Sequence, residues 1–434
     1  MEGNETLHYT SLGELINIKR EKMGMSLSEL GRLTGIHKSV LGRIERGETK
    51  RPELNTIKAI SDVLALPYKD IIEYYAEIEQ RINALHRLLL ESIEVNNLYS
   101  ISKVANKILE SPYEETYTSL EYLYKLTHSI NNSEIKVTLY KIIAKYAREH
   151  GAQIYLAKSL LQQYLIERDD FSKLDTVYQS AKYILYYADF LPSKDRILMY
   201  YKLGVHAYNL RLFEDCIELC KYVLEEENSN REIKIESMVA IYNSYYYLDD
   251  LANFEYYLKM YTSHPLADKY RSKFAFAALN AKKGETVLAI TQLQECLAYT
   301  AKETALYVTN MLFELLIKKS DLFKIEELIL PQDKRIKDIP LRSPYQISEL
   351  ARFYKLKGDY YVMKDLLDYG VDFYIESSIL YAKVSAHDKG YEIVRNIVHL
   401  LPRGNMEFKM TIFKKIEKMY NVISLNDGGL FDEK

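Results

Sequence analysis

The feature that most constrains this chain is a recurrence. Polar turns near Arg211, Asp250, Gly284, Ser320 and Gly358 stand 39, 34, 36 and 38 residues apart, and another lies near Asp169 and Asp170. Each turn separates two amphipathic segments of helix length, and a period of about 34 to 40 residues with two helices per unit predicts an α-solenoid. Composition agrees. The 16 Gly and 9 Pro among 434 residues leave few places to turn a strand, which excludes a long β-sandwich, a Gly-rich nucleotide-binding α/β fold and a low-complexity chain. The fold class expected is all-α.

The first seventy residues follow another plan. Between Lys19 and Arg51 nine basic residues face four acidic ones, inside a chain whose net charge is −3. Leu12, Leu15, Ile16 and Lys19 share one helical stripe that stops near Met23 and Gly24. Ser26, with Glu29 three residues on, predicts a capped second helix. Gly35 supplies the positive φ of a tight turn into a third, basic helix from about His37 to Glu45. Ile36, Val40, Leu41 and Ile44 are expected inward; His37, Lys38, Ser39, Gly42 and Arg43 are expected outward. A fourth helix spans Leu54 to Leu64 and a fifth begins at Pro67.

Two short helices about a Gly turn, the second polar outside, suit the major groove of DNA. MSLSELGRLTGIHKSVLGRIERGETKRPELNTIKAISDVL, with its IERG tetrad at Ile44 to Gly47, resembles the phage-repressor-like helix-turn-helix family over about 60 residues. The resemblance implies a base-reading face at His37, Lys38, Ser39, Gly42 and Arg43, and phosphate contacts from Arg46, Lys50 and Arg51. Leu27 stands where the family usually has Gln, and Gly42 replaces a residue that often touches bases.

Tyr200 to Asn228, YYKLGVHAYNLRLFEDCIELCKYVLEEEN, resembles the tetratricopeptide consensus, with Gly204 at the close helix contact and Cys216 at the small position. IYNSYYYLDDLANFEYYLKMY and ALNAKKGETVLAITQLQECLAY follow it more loosely. The layout expected is a helix-turn-helix domain at 1–70, a connecting helix at 71–95, repeats at 96–421 and a tail at 422–434. In such arrays the first helices line a concave surface. By the consensus register Asn209, Asn243 and Asn310 share the ligand-facing side, where a carboxamide can pair with any peptide main chain; Asn280 sits two positions off. Tyr208, Tyr242, Tyr245 and Tyr246 are placed near the same surface, although most of the 40 tyrosines are expected to be repeat packing.

Nucleotide-binding, hydrolase and metalloprotease motifs are absent, and the dispersed histidines suggest no metal site. Cys216 and Cys220, four apart, could share a ligand but occupy small, apolar repeat positions. His206 and His150 read as helix residues rather than catalysts. No enzyme activity and no cofactor are expected, no apolar run is long enough to span a membrane, and a cytoplasmic location is expected.

The order of domains resembles the peptide-pheromone receptors of Gram-positive bacteria and their phages, the Rap, NprR, PlcR and PrgX group with the arbitrium receptors. What that resemblance implies is a double-stranded DNA operator, a short signalling peptide in the concave groove, and a homodimer through the C-terminal repeats, around Tyr391 to Leu401. The alternative is a Rap-like interaction protein that binds a response regulator or another protein partner through its repeats; the helix-turn-helix in place of an N-terminal bundle weighs against phosphatase activity as the main role.

Overall fold

The computed structural model describes residues 11–227, 229–299, 302–337 and 339–426, and among them every regular element is a helix. Contacts divide the chain into two compact units, Met1–Ile166 and Glu167–Lys434.

The first unit opens with α1 (Leu12–Lys22), α2 (Leu27–Thr34), α3 (Lys38–Glu45), α4 (Leu54–Leu64) and α5 (Tyr68–Ile78). It continues through α6 (Ile82–Glu94), α7 (Leu98–Leu109), α8 (Thr116–Ser129), α9 (Ser133–Glu149) and α10 (Gln153–Glu167). Ser26 caps α2 by accepting the Glu29 amide at 3.2 Å, and Gly35 closes it in the left-handed region at φ 71°. Leu30, Leu41, Ile44, Ile57 and Ile60 form the buried centre of the head. The single connecting helix expected at 71–95 is instead two, α5 and α6, broken at residues 79–81, because the Glu79 carboxylate competes for the backbone amides of Gln80 and Arg81 at 2.9 Å each. Residue 70 is not a seam in packing: Lys58 of α4 and Tyr68 of α5 both reach Glu91 of α6, and Asn97 before α7 donates to Glu73 at 3.0 Å.

The second unit begins with a 3₁₀ turn at Phe171–Lys173, α11 (Leu174–Lys182) and a 3₁₀ segment at Tyr183–Phe190. Five antiparallel helix pairs follow: α12 (Ser193–Asn209) with α13 (Phe213–Glu225), α14 (Arg231–Tyr247) with α15 (Leu251–Thr262), and α16 (Lys269–Lys282) with α17 (Thr286–Tyr299). The remaining two are α18 (Lys302–Lys318) with α19 (Leu322–Lys337) and α20 (Pro344–Met363) with α21 (Leu367–Ala382); α22 (His387–Leu400) and α23 (Met406–Asn426) end the described array, each packing on α21. Residues 427–434 of the expected tail lie outside the described residues.

The turns of four pairs carry one left-handed residue each, Arg211, Asp249, Gly284 and Ser320. The turn expected near Gly358 lies further on, at Asp365 with φ 59°, and Gly358 is buried inside α20. A Cβ on Gly358 would sit 2.5 Å from the Tyr374 ring, just as one on Gly204 would sit 2.5 Å from Cys220 Sγ. Gly358 is thus a packing glycine that lets two helices of a pair touch, the role read for Gly204. Cys216 and Cys220 are both buried, in the core of their pair.

Candidate functional site

The head presents one charged face. His37, Lys38, Ser39 and Arg43 are all exposed on or just before α3. His37 is the N-cap: its Nδ1 accepts the Ser39 amide at 3.3 Å and lies 2.8 Å from Ser39 Oγ, so both side chains at the head of the helix are held together. Gly42 is not part of this face. It is buried, and a Cβ there would meet Arg46 Nη1 at 3.1 Å and Leu27 Cδ1 at 3.6 Å, which ties it to the unusual Leu27 on the facing helix. Of the expected phosphate contacts, Lys50 and Arg51 are exposed, and Arg51 donates to Gln80 Oε1 at 2.9 Å. Arg46 is exposed but pairs with Glu48 at 2.6 Å, and that carboxylate's hydrogen bond holds its guanidinium pKa above the ordinary value.

Not every basic residue of the patch belongs to the face. Arg20 turns inward and makes a two-point pair with Glu45, Nε to Oε1 at 2.7 Å and Nη2 to Oε2 at 2.8 Å, while Nη1 donates to the Met25 carbonyl at 2.8 Å. Their side chains are only 11 % and 7 % exposed. The pair locks α1 to the C-terminal end of α3 and so fixes the angle at which the face is presented.

The second candidate surface is the inner side of the repeat unit. Here the array curls until distant helices meet: the Tyr208 ring of α12 lies 5.2 Å from Tyr345 of α20, and Tyr345 stacks on Tyr307 of α18 at 5.3 Å. Tyr247 of α14 stacks on Phe213 at 4.9 Å. Burial pushes the Tyr208 and Tyr345 phenols well above their ordinary pKa, so both stay neutral. At the same seam Ser385 Oγ donates to the Ser172 carbonyl at 2.9 Å.

The six residues expected to contact a peptide separate under this geometry. Asn209 lines a cavity of about 690 Å³ at the seam, with Arg211, Ser385, His387 and Lys389. Asn243 and Tyr246 line a slot of about 30 Å³ closed by Tyr307, Tyr345, Glu349 and Arg352. Tyr208 forms part of the aromatic seam. Asn310 and Tyr242 are corrections. Asn310 is fully buried, and its amide donates to the Glu349 carbonyl at 2.7 Å and to Glu349 Oε2 at 2.9 Å. Tyr242 is 1 % exposed and packs edge-on against Phe254 and Tyr261, each at 5.7 Å.

Sequence reasoning missed Tyr307, Tyr345, Glu349 and Arg352. Arg352 pairs with Glu349 at 3.3 Å and with Glu314, forming a polar knot under the slot. Tyr345, Glu349 and Arg352 belong to α20, whose register the misplaced turn at Gly358 had hidden; Tyr307 lies on α18. Among the described residues no group of His, Cys, Asp or Glu is arranged to hold a metal, and no helix is long and apolar enough to cross a membrane.

Fold and face together define a helix-turn-helix head joined to a helical repeat array. The helix-turn-helix family model matches residues 16–71, and this segment is a helix-turn-helix domain of the kind that DNA-binding transcription regulators carry. Two curated relatives match about a third of the chain or less: the HTH-type transcriptional regulator SlrR of Bacillus subtilis is 24 % identical over 159 residues, 35 % of this chain and 97 % of that protein. The HTH-type transcriptional repressor RghR of the same organism is 24 % identical over 119 residues, 26 % of this chain and 88 % of that protein. Among solved structures, a Rap protein complexed with competence and sporulation factor covers 94 % of this chain and 99 % of its own at 11 % identity, with a TM-score of 0.37. Bacillus thuringiensis PlcR in complex with a peptide and DNA covers 89 % and 99 % at 15 % identity, with a TM-score of 0.22.

Proposed function

We propose that this chain is a sequence-specific, DNA-binding transcription regulator switched by a short signalling peptide that binds the concave side of its repeats. The observation that carries the first half is the exposed face of His37, Lys38, Ser39 and Arg43 on the helix after the Gly35 turn, within the segment that matches the helix-turn-helix model. Side chains there are free to reach base edges, and the buried Arg20–Glu45 pair holds them in one orientation. The second half is supported by the resemblance of the whole layout to the peptide-pheromone receptors and by two carboxamides, Asn209 and Asn243, lining cavities of the array.

In this reading a homodimer through the C-terminal repeats carries two heads, and peptide binding alters the curl of the array and thereby the spacing of the heads on two half-sites. Tyr391 and Val398, exposed on α22, suit such a surface. The test is an electrophoretic mobility shift on genomic fragments from beside the gene, with and without candidate peptides. Absence of any shifted fragment, with Arg43→Ala indistinguishable from wild type, would refute the reading and leave the alternative of a response-regulator partner.

A further inference from the structure

The strongest unassigned feature lies within Met1–Ile166, where the head meets the first repeat helices. A cavity of about 610 Å³ opens there, lined by Arg51 and Glu53 of the α3–α4 loop, Glu79 and Arg81 of the elbow after α5, and Arg87 of α6. Its charges are unequal in availability. Glu79 is 1 % exposed and accepts from the Gln80 and Arg81 amides at 2.9 Å and from the Arg81 guanidinium at 3.0 and 2.7 Å. Burial alone would raise its pKa, but these bonds outweigh burial and bring it down to about 2. Glu79 is therefore an internal counter-ion, committed to Arg81.

Arg51 and Arg87 are exposed, and among the described residues neither has an ion-pair partner; Arg51 leans on the neutral Gln80 amide at 2.9 Å. Helices α4 and α6 also begin at this cavity, and their N-cap residues Glu53 and Arg81 make no side-chain capping bond. With two guanidinium groups against the one exposed carboxylate of Glu53, such a rim favours an anion with several oxygens, since guanidinium groups pair with phosphate in two-point geometry.

We propose that Arg51 and Arg87, beside the Arg81–Glu79 pair, form a phosphate-binding rim that takes backbone phosphates of DNA beyond those reached by α3, which makes α6 part of the DNA interface. This rests on the DNA-binding reading. Continuity identifies the occupant: Arg51 belongs to the same loop as Lys50, beside the face of α3, and a duplex lying on that face carries a regular row of phosphates past it. The rigid elbow matters as much as the charge. Glu79 fixes the chain between α5 and α6, and Lys107 of α7 donates to the Glu77 carbonyl at 2.6 Å, so the rim is presented without having to be ordered on binding.

The experiment is the salt dependence of binding of the full chain to a random-sequence duplex of about 40 base pairs, since phosphate contacts do not depend on sequence. Arg87→Ala should weaken binding about 3- to 10-fold at 0.15 M salt and lower the slope of log K against log salt by about 0.9, the value of one phosphate contact. Arg87→Lys should keep the slope. Arg87 is exposed, so circular dichroism should show both variants folded. A wild-type slope in Arg87→Ala, while Lys50→Ala weakens binding to the same duplex, overturns the rim but leaves the DNA reading intact; no binding by the wild-type chain overturns both. Saturable heat with inorganic phosphate that Arg87→Ala removes, beside an unchanged DNA slope, assigns the cavity to a free small anion and also overturns the proposal.

Discussion

The DNA-reading face and the concave groove were read from the same kind of argument, polar side chains placed by helical register, yet they differ in the structure. On the head, four of the five expected base-reading residues are exposed and lie together on one short helix and its N-cap; only Gly42 is withdrawn. In the groove, Asn310 and Tyr242 are buried and the inner side is filled by the chain's own Tyr208, Tyr307 and Tyr345. A recognition helix is a local object, fixed by a cap, a turn and one face. A solenoid groove depends on how far many small rotations accumulate, and no single unit encodes that sum.

The comparison can be broken most strongly at its two buried centres. Arg20→Ala leaves Glu45 unpaired at 7 % exposure and should cost the head about 3–5 kcal/mol, read as a shifted unfolding transition for the first unit alone in urea. Tyr242→Ala opens a cavity in the second unit and should cost about 3–5 kcal/mol there. If Tyr242→Ala instead unfolds like wild type and loses peptide affinity, Tyr242 is a ligand contact rather than a core residue.

Effects at the surfaces themselves should be smaller. Arg43→Ala should weaken operator binding by about 1–3 kcal/mol, measured by fluorescence anisotropy at fixed salt. Asn209→Ala and Asn243→Ala should each cost about 1 kcal/mol of peptide affinity by calorimetry, and the two should add because they line separate cavities.

Acid should also separate the two units. Burial brings the His206 pKa from 6.5 down to about 4, so the folded second unit disfavours the proton that its unfolded chain accepts, and its stability should fall as pH drops from 6.5 toward 4. The Glu79 carboxyl, lowered from 4.5 to about 2, contributes stability to the first unit that is present above 4.5 and lost only on going from there toward 2. His206→Gln should flatten the first change and leave the second, in denaturation curves taken across that range.

These particulars show why some of the molecule was legible in its sequence. Ser26, Glu29 and Gly35 announce a capped helix and a left-handed turn by local chemistry, and the structure has both. Gly204 and the turn at Arg211 were legible for the same reason. Gly358 misled because a glycine that lets helices touch and a glycine that turns the chain look alike in sequence; only the ring of Tyr374, across the pair, distinguishes them. That one shift concealed α20, and with it Tyr345, Glu349 and Arg352. The inward turn of Arg20 was illegible as well, since its partner Glu45 is 25 residues away.

The central claim is that one chain couples a DNA-reading head to a peptide-reading array. Its most direct measurement is the affinity of the full-length protein for its operator fragment, titrated with peptide, in wild type and in the Asn209→Ala, Asn243→Ala double variant. The account predicts that peptide changes operator affinity in the wild type, and that the double variant, binding DNA equally well without peptide, needs a higher peptide concentration for the same change. An operator affinity that stays constant at every peptide concentration in both proteins would contradict it.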